Sequence, residues 1–396
     1  MSHRVVAACA ASIALALGVV LGGAGLDRAS PAPDRMPVPA PAHRSSAVDP
    51  GPSSSPGARI RAMSFNILTA ENHAEDRPWA VRRSTVAHTV VSEGVDVLGA
   101  QEASVTRDWE GNDDGVPQWE SLRRVLAPQG YDRALTGSDG RFEDCGRRRC
   151  SADEEAQFGV HIYYNTATLE PVGSGGTVNV DNDWCEWDDR AMVWQVFRTR
   201  ATPSTAFVAV NTHLYYEGIE ERGDLEKCRT GQVKNILKAL RTSVKPVGLP
   251  VVLMGDLNSY AHQDPVRTLI ENGFVDTVEA DAPRRNTTFN SFHGFRNPPP
   301  RVPGKRIDYI MVSGGIDVRR WELVARTNPR TGRFVGEIPS DHHPILAVLT
   351  LPPPPPAVTP WRCLSARPFP LRWTCFQPAL PAVLPAARHR PGGTAR

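Results

Sequence analysis

Six short segments constrain this chain more than any other feature, because each closes or opens an apolar run with a carboxylate, an amide or an imidazole. In order they are Met63-Ser64-Phe65-Asn66, Gln101-Glu102, Asn211-Thr212-His213, Gly255-Asp256-Leu257-Asn258, Arg306-Ile307-Asp308-Tyr309 and Ser340-Asp341-His342-His343-Pro344. Short apolar runs bounded by turn formers read as buried strands. Strands that each deliver one such group to the same end of a sheet would assemble a metal-assisted hydrolytic site. Taken singly, each residue has an ordinary alternative. Asn66 and Asn258 are common turn formers, Glu102 suits a helix start, His213 suits a hydrogen-bonded core, and Asp308 has Arg306 close in sequence. His343, next to Pro344, reads as structural. The joint order of the segments favours the site.

The chain of 396 residues has ample length to bury a core. Strand-like runs cover Ile60–Ile67, Val95–Ala100, Phe158–Tyr164, Ala191–Phe197, Ala206–Asn211, Pro250–Met254, Ile307–Val312 and Ile345–Leu351. Helical spacing is found over Trp79–Val91, Trp119–Leu126, Leu225–Leu240 and Val266–Asn272, with Trp79, Val86, Val90 and Val91 forming the first apolar stripe. Strands with helices mostly between strand groups, and no internal repeat, give an α+β or α/β layered fold. Arg222-Gly223-Asp224 reads as chance at a helix start.

The folded body is expected over residues 58–351, ended by the prolines Pro352 to Pro356, which cannot continue a ladder. Residues 1–29 read as an export signal, with Arg4 ahead of an apolar run and small residues behind it. An uncleaved, outward-facing anchor is the alternative. Residues 30–57 form a Pro/Ala/Ser-rich linker without periodicity, and 352–396 a Pro/Arg-rich tail that reads as disordered with room for a small stapled element. Removal of the signal takes Cys9 and leaves six of the seven cysteines. An even number in an exported chain suggests disulfides, with Cys145–Cys150, Cys185–Cys228 and Cys363–Cys375 as candidate pairs among the 15 connectivities that six cysteines permit. No Cys-x-x-Cys spacing supports a structural zinc site. Net charge is +2, but the tail has six Arg and no acid and residues 1–57 have four Arg and three Asp, which leaves the body at −5. Such a body lacks the broad basic footprint of a tight nucleic-acid binder.

The residue types suit phosphate-ester hydrolysis. Hard oxygen donors on Asn66, Glu102 and Asp341 fit Mg²⁺, with water and phosphate completing its shell. Asp256 and Asn258, one residue apart, can align a water and hold a phosphate oxygen. His342 paired with Asp308 becomes oriented and more basic, as a general base or a phosphate-binding cation requires. His213 is a second imidazole, able to protonate a leaving oxygen or hold a non-bridging one. No His-Glu-x-x-His or Gly-x-Ser-x-Gly motif points to a zinc protease or a serine hydrolase.

With these six segments in this order, the sequence from Ala58 to Leu351 resembles the endonuclease/exonuclease/phosphatase superfamily. The resemblance implies a four-layer αββα sandwich of two packed mixed sheets flanked by helices, an α+β fold, and a Mg²⁺-dependent phosphoesterase, with Mn²⁺ or Ca²⁺ as alternative ions. It places Asn66, Glu102 and Asp341 at the metal, gives Asp256 and Asn258 the water and the phosphate, and has Asp308 orient His342. His213 resembles the extra histidine of the deoxyribonuclease-like and sphingomyelinase-like branches, which abasic-site endonucleases lack. Arg190 resembles a phosphate-contacting arginine of some members. Two departures bear on His213. Tyr215-Tyr216 stands where many relatives have Asp-His, and the glutamate that often supports this histidine has only Glu155 or Gln157 as stand-ins. The expected function is an exported phosphodiesterase acting as a monomer, with nucleic acid the first substrate. A phospholipid or soluble phosphomonoester is the alternative, and a non-catalytic binding module stands third.

Overall fold

In the computed structural model, the described residues are 57–71, 77–104, 113–135, 159–173, 175–185, 190–216, 223–244, 248–313, 315–353, 362–365 and 373–376. The expected signal, the expected linker apart from Gly57, and Cys145, Cys150, Glu155 and Gln157 lie outside them.

Sheet A has the order β11 (Arg284–Arg285), β13 (Asp317–Leu323), β14 (Ile345–Thr350), β1 (Arg59–Asn66), β2 (Val97–Gln101), β4 (His161–Asn165) and β3 (Tyr131–Arg133). Sheet B runs β10 (Phe274–Asp276), β12 (Asp308–Ser313), β9 (Val251–Asp256), β8 (Ala206–His213), β7 (Ala191–Thr199) and β5 (Leu169–Pro171), with β6 (Gly176–Asn179) also paired to β7. Both sheets are mixed. The β1–β2 and β8–β9 pairs are parallel, whereas β14 lies antiparallel to β1 and β12 antiparallel to β9.

Period-two alternation explains the layering. On β1, Ile60 and Ala62 join a core with Val252 and Met254 of β9 and Ile310 and Val312 of β12, which lies between the sheets. Met63 and Phe65, on the opposite face, pack with Trp79, Val86 and Val90 of α1 (Trp79–Ser92) and Leu122 and Leu126 of α2 (Gln118–Leu126). The outer face of sheet B packs Val208, Val210 and Leu253 on Val233, Ile236 and Leu237 of α3 (Gly223–Thr242) and on Val266 and Leu269 of α4 (Asp264–Glu271). Helices, sheet, sheet and helices therefore stack as four layers, as expected of an α+β sandwich.

The α1 stripe is broader than expected, since Arg82 and Thr89 are also fully withdrawn from solvent. The strand expected over 158–164 is His161–Asn165. β13 had no counterpart in the expected strands; its Asp317-Val318-Arg319-Arg320-Trp321 run carries a register shift between Val318 and Arg320 that breaks the alternation. A disulfide joins Cys185 to Cys228 and ties the segment after β6 to α3. In the tail, β15 (Arg362–Ser365) pairs with β16 (Trp373–Phe376), with Cys363 opposite Cys375 in the register. No helix among the described residues is long and apolar enough to cross a membrane.

Candidate active site

Three of the expected residues form one row across sheet B. His213 ends β8 opposite Asp256, the last residue of β9, and Asp256 lies opposite Asp308, the first residue of β12. Each continues the inward-facing alternation of its strand, after Phe207 and Ala209, after Val252 and Met254, and before Ile310 and Val312. Strand register alone therefore carries these side chains into the space between the sheets.

On sheet A, Asn66 continues the inward alternation of Ile60 and Ala62, and its Nδ2 donates across the gap to Asp256 Oδ2 at 3.2 Å. Glu102 follows β2 on the parity of Leu98 and Ala100, which face the helices. A left-handed backbone, φ 59°, breaks that parity and brings its Oε1 to within 2.8 Å of Asn66 Nδ2. Such a φ is uncommon outside glycine and needs support from its surroundings. Gly159 provides part of it: a Cβ there would stand 2.6 Å from the Ala103 nitrogen, while its carbonyl accepts from that same Ala103 N–H at 2.9 Å. Asn258, with φ 44°, folds its N–H back onto Asp256 Oδ1 at 2.9 Å.

Asp341 and His342 enter just before β14. Ser340 fixes them by donating its hydroxyl to the Asn66 carbonyl at 2.7 Å, which joins this segment to the end of β1. His342 Nδ1 lies 2.9 Å from Asp308 Oδ2, and its Nε2 lies 3.8 Å from Asp256 Oδ2. Asp308 is wholly buried, held by its own N–H donating to Ser291 Oγ at 3.2 Å. Arg306, its neighbour in sequence, pairs with Asp276 instead, at 2.5 Å.

The two histidines sit in opposite electrostatic settings. Burial alone would lower the His342 pKa, but the charge and hydrogen bond of Asp308, with Asp341 and Asp256 beyond, raise it well above the usual 6.5. His342 is therefore an imidazolium at neutral pH. His213 is lowered well below 6.5, by burial first and then by the charges of Arg190 and His342. It is neutral, and its Nε2 accepts from Asn258 Nδ2 at 3.0 Å. That leaves the proton on Nδ1, which has no partner among the described residues; Glu155 and Gln157, the stand-ins for a supporting glutamate, lie outside them. Burial and the Asp308 charge push Asp256 up to about 7. Arg190, mostly buried, stands against the Tyr216 ring with its guanidinium 5.7 Å from the centroid.

The donor set suits a cation. Burial raises the Asp341 pKa, His342 opposes it, and the Glu102 charge adds to the rise, so the net shift is upward. Two carboxylates crowded in this way gain from a cation between them. The Asn66 amide oxygen accepts Leu68 N–H at 3.0 Å and retains a second lone pair. Asp256, Asp308 and His342 also present ligand atoms within 4.8 Å of one another and could hold a metal ion. Their 2.9 Å Asp308–His342 bond would be lost to an ion bound there, whereas the Asn66, Glu102 and Asp341 oxygens would keep it.

Every expected site residue thus lies at one end of the sandwich. Sequence reasoning missed the supports Arg82, Gln118, Gly159 and Ser291, and named Ser340 within its motif without the bond it makes to the Asn66 carbonyl. His343 is structural, as expected, with its ring 4.4 Å from His293 and 5.4 Å from Phe334.

This fold and site define a phosphoesterase class. The Endonuclease/Exonuclease/phosphatase family profile matches residues 63–342, and the chain belongs to that family. Solved structures agree on the fold. A family protein from Bacteroides thetaiotaomicron is 22% identical, with TM-score 0.56, over 74% of this chain and 98% of that one. A mannosyl-6-phosphatase from the same organism is 22% identical, with TM-score 0.55, over 73% of this chain and 99% of that one. A family member from Beutenbergia cavernae is 21% identical, with TM-score 0.52, over 81% of each chain. No curated protein sequence matches the chain.

Proposed function

We propose that this protein is an exported, Mg²⁺-dependent phosphodiesterase that cleaves nucleic acid at the meeting point of the two sheet ends. The observation that carries the reading is the placement of Asp256, raised to about 7, between Asn66 at 3.2 Å, His213 at 3.6 Å and His342 at 3.8 Å. A carboxylate titrating near neutrality is suited to take a proton from attacking water.

In this reading Asn66, Glu102 and Asp341 hold the cation, which when bound neutralises charge on the phosphoryl oxygens. Asp256 orients and deprotonates the water. The His342 imidazolium, held by Asp308, binds a phosphoryl oxygen and supplies a proton to the departing alcohol oxygen. His213, neutral, and the Leu214 carbonyl take the two N–H groups of the Asn258 amide, at 3.0 Å each, and fix the turn after Asp256, while Arg190 adds a positive charge on the same side. Export rests on the sequence of residues 1–29, which lie outside the described residues.

A second reading changes only the substrate, to a lipid or sugar phosphate ester. It is favoured by exposed rings near the site: Tyr216 beside Arg190, and Phe292 at 5.0 Å from the His342 ring. The acidic body also fits a compact substrate better than a polyanion. The deciding experiment assays the full chain on plasmid DNA, RNA, sphingomyelin, mannose 6-phosphate and bis-p-nitrophenyl phosphate, with Mg²⁺, with EDTA and as Asp256→Asn. EDTA-sensitive cleavage of DNA or RNA that disappears in the variant supports the first reading. Hydrolysis restricted to sphingomyelin or the sugar phosphate replaces it with the second. Cleavage that survives both controls rejects the site.

A further inference from the structure

Arg82 is a buried cation that the chemistry above does not use. It projects from α1 with no solvent exposure, and burial lowers its pKa to about 10. The carboxylates that oppose this lowering are Asp341 first, then Glu102 and Glu337. Yet none of its hydrogen bonds goes to a carboxylate. Nε donates to the Arg77 carbonyl at 2.9 Å, Nη1 to those of Ile67 at 2.6 Å and Pro339 at 2.9 Å, and Nη2 to that of Leu68 at 3.1 Å. Ile67 and Leu68 follow Asn66 directly, and Pro339 lies two residues before Asp341. One rigid guanidinium fork therefore joins the two backbone segments that present Asn66 and Asp341.

Gln118, the first residue of α2 and also fully buried, continues the same clamp. Its Nε2 donates to the Leu68 carbonyl at 2.9 Å, the oxygen that Arg82 Nη2 also reaches. Its Oε1 accepts from Ala70 N–H at 2.8 Å and from Ser104 N–H at 3.1 Å. Ser104 lies two residues beyond Glu102. The clamped segments contain two non-glycine residues in left-handed backbone, Leu68 with φ 57° and Glu102 with φ 59°. Such conformations persist only where the surroundings over-determine them.

We infer that Arg82, seconded by Gln118, is the positioning residue for the cation site, fixing from the helix layer the relative places of Asn66, Glu102 and Asp341. The inference rests on the reading that those three residues hold the metal. It makes a prediction opposite in sign to that of a bystander charge. Removing a buried positive charge beside Glu102 and Asp341 would on electrostatic grounds alone strengthen cation binding. Removing a positioning group weakens it, as the loss of groups that orient metal ligands does, by about 10- to 100-fold. Lysine keeps the charge but lacks the planar fork that reaches several carbonyls at once.

The test is titration of the full chain with Mn²⁺ alone, followed by calorimetry or by electron paramagnetic resonance of the free ion. Wild type is compared with Arg82→Lys, Arg82→Gln and Asp341→Asn, each shown to be folded by circular dichroism at the working temperature. Both Arg82 variants should bind Mn²⁺ about 10- to 100-fold more weakly. Wild-type affinity in Arg82→Lys, or unchanged or tighter binding in Arg82→Gln, overturns the inference while leaving the metal reading intact. If Asp341→Asn binds as wild type does, or wild type itself does not bind, the metal reading fails first and the inference with it. Should the Arg82 variants not fold, Gln118→Ala decides by the same titration: weaker binding supports the clamp, and wild-type affinity overturns it.

Discussion

The two sheets deliver their functional groups by different means. On sheet B, His213, Asp256 and Asp308 stand opposite one another in the ladder and inherit their direction from strand alternation. On sheet A only Asn66 does so. Glu102 lies past the end of β2 in a left-handed turn, and Asp341 lies in a non-strand segment before β14. Ladder hydrogen bonds hold the first group, whereas side chains arriving from elsewhere hold the second: Arg82, Gln118 and Ser340. Asp256 and Asp308 are therefore as rigid as the sheet, whereas the cation-binding half, and His342 beside Asp341, depend on a few individual hydrogen bonds.

Substitutions should separate the halves. Asp256→Asn removes the water-activating carboxylate and keeps the backbone ladder, so turnover should fall by about a thousandfold, within the range for general acid–base groups. Mn²⁺ affinity and melting temperature should stay near wild type; a matching loss of Mn²⁺ affinity would break the division between the halves. Reduction of Cys185–Cys228 opens a loop of sequence separation 43 on the sheet B side. The chain-entropy treatment gives a stability loss of about 4 kcal/mol. Denaturant titration should detect it, with Mn²⁺ affinity of the folded protein unchanged.

Glu102→Gln acts on the other half. It should raise the Mg²⁺ concentration for half-maximal activity by about 100-fold and leave the rate at saturating Mg²⁺ much less affected. A metal titration of the rate reads both numbers. Smallest is Gly159→Ala, where the new Cβ meets the Ala103 nitrogen at 2.6 Å and the residue already has φ 64°. A stability loss of about 1–2 kcal/mol is expected, on the scale of left-handed backbone cost, together with weaker Mn²⁺ binding through the disturbed Glu102 turn. Destabilisation with unchanged Mn²⁺ affinity would mean that the turn tolerates movement.

The same division governs what the sequence revealed. Residues placed by alternation were legible, because an apolar run ending in Asp, His or Asn states both the strand and the direction of its last side chain. Glu102 was located by its motif, but its parity points toward the helices, and only the left-handed turn explains its arrival at Asn66. Arg82 lies in the run Arg82-Arg83-Ser84-Thr85, where nothing local separates a buried arginine from a solvated one. Its neighbour Arg83 pairs with Asp113 at the surface. The pairing of His342 with Asp308 was expected, but the depression of His213, by burial first and then by Arg190 and His342, depends on tertiary placement. The edge strands β3, β5, β6, β10 and β11, and β13 inside sheet A, were not foreseen; they are short or charged, and their pairing is decided by neighbours distant in sequence.

The most direct test of the division is a crystal structure of the full chain with Mn²⁺, read by the anomalous signal of the ion. The expected peak is bounded by oxygens of Asn66, Glu102 and Asp341, with the Asp308–His342 hydrogen bond intact. A peak coordinated by Asp256, Asp308 and His342 alone would contradict it, by moving the cation onto the two ladder-built carboxylates.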